Sequence, residues 1–107
     1  MEFFKKKAEE LAEDLIPDSL KEEIQDIALK VAQAAIKKLL ESPEVREVKR
    51  ALLRKLAQEM LEQELEKRLG DSYSFLQKTA SIILLPIMTH ALDKAIDSVL
   101  DEFKRHS

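Results

Sequence analysis

Residues 18–42 read DSLKEEIQDIALKVAQAAIKKLLES. Leu20, Ile24, Ile27, Val31, Ala35 and Leu39 recur every three or four positions. That spacing lines up one face of an α-helix. Ala28, Ala32, Ile36 and Leu40 widen the stripe, and a face that wide touches more than one neighbour. Ser19 with Glu22 has the form of a capping box, in which hydroxyl and carboxylate each take a free backbone N–H at the helix start.

The pattern repeats on both sides. Upstream, Phe4, Ala8, Leu11 and Leu15 form one face, with Phe3, Ala12 and Ile16 beside it. This predicts a helix over residues 2–15 that Pro17 ends, because proline disfavours helix in the residue before it. Downstream, Ser42-Pro43-Glu44 suits an N-cap, a first helical position and the positive end of the helix dipole. The apolar pattern then runs through Val45, Val48, Leu52, Leu56, Met60, Leu61, Leu65 and Leu69. Gly70, the only glycine, is placed to cap that helix in a left-handed conformation.

The last segment starts near Asp71 to Ser74, with Ser74 and Gln77 as another capping box, and runs to about Arg105. Pro86 lacks an N–H and crowds the carbonyl of Ile82, so a kink or break is expected there. After it, Met88, Leu92, Ala95, Val99 and Phe103 share a face. Between Ala80 and Met88 nearly every residue is apolar: Ala80, Ile82, Ile83, Leu84, Leu85, Ile87 and Met88. A helix apolar all round is expected to be buried all round. This belt is therefore either core or a partner surface, such as a homodimer seam.

Composition points the same way. The 107 residues are 45% hydrophobic and 36% charged, with one Gly, three Pro and no Cys or Trp. Leu, Ala, Lys and Glu dominate, and these are strong helix formers. The length suits one domain over residues 1–107. Without cysteine there is no disulfide framework and no thiolate chemistry, which suits a reducing compartment or a maker who left cysteine out. The longest apolar run, Ile82 to Met88, falls short of the ~20 residues of a membrane span, and no signal peptide is visible. The net charge of −3 argues against general affinity for nucleic acid or anionic lipid. A soluble cytoplasmic protein is the expectation, with no nucleic-acid or membrane partner, no partner required, and a homodimer as the alternative.

Candidate chemistry is thin. His90, Asp93 and Asp97 stand at i, i+3, i+7, a set that could in principle hold a divalent metal. The Glu-x-x-His pairs of di-metal bundles are missing. Asp93, Asp97 and Asp101 form a like-charge ladder, which costs stability unless a cation or basic group offsets it. Arg46, Lys49, Arg50, Arg54 and Lys55 make one half of the third helix basic, with Glu59, Glu62, Glu64 and Glu66 in the other half. Such a face is solvated, touches phosphate or suits antiparallel self-pairing. Ser81 or Thr79 with His90 has the residue types of a nucleophile and a base but nothing more. No Gly-rich phosphate loop is present. No catalytic, metal or cofactor residue is assigned, and no enzyme activity is expected.

Uniform Leu/Ala/Lys/Glu helices, the Ser42-Pro43-Glu44 start, the single capping Gly70 and the lack of Cys and Trp resemble computationally designed, de novo all-α proteins. The likeness is strongest over residues 1–70. It implies that the fold itself is the purpose and that no biological activity accompanies it. Tyr73, Thr79, Ser81, Pro86, Thr89, His90 and the aspartate ladder depart from that style. The sequence-level expectation is thus an all-α, compact bundle of four to five helices, with the last helix kinked or broken at Pro86. Its function is that of a stable structural domain. The alternative is a natural protein-interaction module or homodimer using residues 80–88.

Overall fold

The computed structural model describes residues 16–106, and every regular element among them is helical. Helix α1 spans Asp18–Glu41, α2 spans Arg50–Leu69 and α3 spans Asp71–Arg105. At about 1.5 Å per residue they are roughly 36, 30 and 52 Å long. The all-α expectation is met. Three helices stand among the described residues where four to five were expected, and the helix predicted over residues 2–15 lies outside them.

Helix α1 buries Ile24, Ile27, Ala28, Val31, Ala32, Ala35, Ile36 and Leu39, and it packs on both other helices. The breadth of its apolar face is the reason. Its start differs from the expected capping box. Pro17 is the N-cap, and its carbonyl accepts from the N–H groups of Leu20 and Lys21 at 3.0 and 3.1 Å. Ser19 therefore falls inside the first turn, and no side chain caps this end.

The helix expected from Ser42 begins only at Arg50. Ser42 is instead the C-cap of α1, its N–H donating to the carbonyl of Leu39 at 3.2 Å. The Val45 N–H returns to the Ser42 carbonyl at 3.3 Å, closing a turn with Pro43 in its second position. Serine first and proline second is also a β-turn signature, so one sequence signal fits two structures. The turn leaves room to reverse direction, and Val45 and Val48 pack on the core from the loop. The later start also shifts the face of α2. Leu53, Ala57, Leu61 and Leu65 are buried, while Leu52, expected on the stripe, is exposed.

Gly70 joins α2 to α3 by itself. Its N–H donates to the Glu66 carbonyl at 2.8 Å, and its carbonyl accepts from the Tyr73 N–H at 3.1 Å. Its φ of 55° and ψ of −125° suit glycine alone. The φ is positive as expected, although the ψ takes it outside the left-handed helical basin. Because α3 starts at Asp71, Ser74 lies within the helix and the Ser74–Gln77 box does not form.

Helix α3 bends at Ala80, with φ −133° and ψ 24°, and continues helically through Pro86. The predicted kink is thus displaced by six residues. The Thr79 hydroxyl donates to the Phe75 carbonyl at 2.7 Å, and such back-bonding to the i−4 carbonyl bends helices. Pro86 is tolerated because it is exposed.

Tyr73 is buried at the base of α3. Burial pushes its phenol above the usual range, and the charges of Glu62 and Glu66 add to this, while a hydrogen bond with Gln77 opposes it. The folded chain therefore holds this proton more tightly than the unfolded one. Its contribution is fully present below the unfolded value of about 10 and is lost as pH rises through the folded value. Tyr73→Phe should remove that alkaline loss. Urea midpoints measured at about pH 9 and about pH 11 should fall less in the variant than in the parent, and parallel falls would contradict this.

Candidate functional surface

The apolar belt is divided rather than buried all round. Ala80, Leu84 and Met88 are in the core, and Ile83 and Ile87 pack partly against it. Ile82 is 80% exposed and Leu85 is 53% exposed. Phe75, on the far side of the bend, is 56% exposed. The reason is geometric. Residues 80, 84 and 88 are one turn apart and face the bundle, while Ile82 lies about half a turn away from them. Composition alone could not tell these positions apart. The core continues along α3 through Ala91, Leu92, Ala95, Ile96 and Val99.

Below the belt, the acidic ladder and the basic half of α2 meet. Arg50 donates to Asp97, and Arg54 Nε lies 3.5 Å from Asp93 Oδ1. The two arginines are four apart, as are the two aspartates, and the order is reversed because α2 and α3 run antiparallel. The Asp97 hydrogen bond and the charges of Asp97 and Asp93 hold Arg50 still more firmly protonated, against a smaller opposing effect of burial. Asp93 Oδ1 is shut off from solvent with no hydrogen-bond partner, so the charge of Arg54 is what compensates it. Both side chains of that pair are otherwise half-exposed, and such pairs contribute about 0.2–1 kcal/mol. A double-mutant cycle on Arg54→Ala and Asp93→Ala should give a coupling in that range that shrinks in high salt. A coupling of zero at low salt would contradict the pairing.

The ladder also bears on the His90, Asp93 and Asp97 set. Asp93 and Asp97 lie against arginines, His90 is exposed, and among the described residues no three His, Asp or Glu side chains are grouped to hold a metal ion. Thr79 is engaged with the Phe75 carbonyl rather than with His90. The pairing was present in the sequence as two charge runs with matching four-residue steps. Each was read as a separate helix face, and only the antiparallel register joins them.

Open clefts lie between the described helices. One, of about 340 Å³, has Ile27, Val31, Ala34 and Met60 as its floor and Lys30, Gln63, Glu64 and Arg68 at its rim. Arg68 Nε is held by Glu64 at 3.4 Å. Another, of about 270 Å³, is framed by Ile36, Leu40, Val99 and Phe103 near the end of α3. Gln33, Glu102 and His106 complete its lining. By length and composition α3 is also the one helix among the described residues long and apolar enough to cross a membrane. A core helix meets the same test, and α3 supplies ten buried residues to the core. No family model, curated protein or solved structure matches this chain.

Proposed function

We propose that this chain is a structural helical domain, of the kind produced by de novo design, that performs no catalysis and needs no cofactor. It folds as a soluble bundle of four to five helices, with no membrane or nucleic-acid partner. The observation that carries this reading is the interhelical ladder. The arginines and aspartates that could have formed a site neutralise one another between α2 and α3. Among the described residues no polar or charged side chain is buried in the core.

The test is thermal unfolding in the presence of divalent metals and of chelator. The expected result is an unchanged midpoint. A zinc-dependent rise that His90→Ala abolishes would overturn the reading, because ligands that bind only the folded state must stabilise it. A second reading, a homodimer or protein-interaction module, draws on the exposure of Ile82, Leu85 and Phe75. It predicts a mass of two chains in solution.

A further inference from the structure

The buried residues of α3 do not follow one helical stripe. Upstream they are Tyr73, Leu76 and Ala80, and downstream they run from Leu84 and Met88 to Ala95 and Val99. Projected at about 100° per residue, the two sets face directions that differ by about 100°, the step of a single residue. The drift is visible in the spacing. Leu76, Ala80, Leu84 and Met88 stand four apart, and each such step carries a regular helix about 40° past a full turn.

We infer that α3 contains a built-in phase joint. The turn at residues 80–84 holds one residue more than a regular helix accepts, and the bend at Ala80 absorbs it. The inference goes beyond the structural reading, because it gives the apolar belt a role inside the chain.

A straight α3 is excluded from both directions. Extending the downstream phase towards the helix start would turn Ser74 and Gln77 to the bundle. Extending the upstream phase towards the helix end would turn Lys94 and Ser98 to it. All four are exposed in the bent helix, and burying them without partners would be costly. The joint is therefore locked by the pattern on either side. Ala80 is where the helical dihedrals are left, at φ −133° and ψ 24°. The Thr79 hydroxyl on the Phe75 carbonyl holds the turn before it. Helices take up a single extra residue in this way, as a local bulge with a kink.

The joint also accounts for an apolar belt with more than one apolar side. Ile83 and Ile87 prolong the upstream face and pack partly against the core. Leu84 and Met88 begin the downstream face and are buried. Where the stripe crosses the helix, both faces have to be apolar. Ile82 lies on neither face and is 80% exposed.

Deletion of one residue tests this. Removing a residue from a packed helix rotates everything beyond it by about 100° and is ordinarily destructive. Here, removing Ile82 from the full chain should bring the two faces into one stripe. The expected result is cooperative urea unfolding with a midpoint at or above the parent's. Removing the exposed Thr89 instead should throw Leu92, Ala95 and Val99 out of phase and lower the midpoint sharply. Equal effects of the two deletions, both mild or both severe, would overturn the inference. As a second measurement, the Cα chemical shift of Ala80 should be non-helical in the parent and move to the helical range on deletion of Ile82. A shift left unchanged by the deletion would also overturn it.

Discussion

Leu84→Ala is expected to lower the folding stability by about 3 kcal/mol, within the range for removing a leucine from a packed core. For a domain of this size that corresponds to a fall in Tm of roughly 10–20 °C. Leu84 is 2% exposed and sits on the face of α3 turned to the other helices. Truncation leaves a cavity that α1 and α2, already packed on one another, can only partly close. The neighbouring Leu85→Ala should cost no more than about 1 kcal/mol, because surface changes are usually small. Chemical denaturation of both variants measures the contrast. Equal losses would mean that the belt is buried on all sides.

Gly70→Ala is the second large effect. The cost is expected to be about 1–3 kcal/mol, the range for a residue held in a sparsely populated conformation. Its origin is backbone alone, since a Cβ built at Gly70 meets nothing within 4 Å. The mirror image of its φ and ψ is an ordinary extended conformation. D-alanine introduced by chemical synthesis should therefore be tolerated or stabilising, because it also restricts the unfolded chain. A loss of similar size for both enantiomers would point to a steric cause and contradict this account.

The periodicity of residues 18–41 was sufficient to read α1 and its double contact, because burial on a helix follows the 3.6-residue repeat. Gly70 was legible for a comparable reason: few residues adopt a positive φ, and one glycine was available. The boundaries were less legible. Ser42-Pro43 serves a turn as readily as a helix start, and the choice depended on how the chain reverses between α1 and α2. The bend at Ala80 follows from a side-chain hydrogen bond of Thr79, which competes locally with the backbone in a way that proline content does not reveal. The belt defeated composition because Ile82 and Leu84 are equally apolar. Only the orientation of α3 against its neighbours separates them. The ion-pair ladder was hidden because each half lay on a different helix.

The central claim is that the chain forms a self-contained structural bundle. Light scattering across a wide range of concentrations tests it most directly. A mass of one chain at every concentration is the predicted result, with Phe75, Ile82 and Leu85 left as scattered apolar side chains at the surface. A mass that rises to two chains with concentration would contradict it and make that surface a seam between copies.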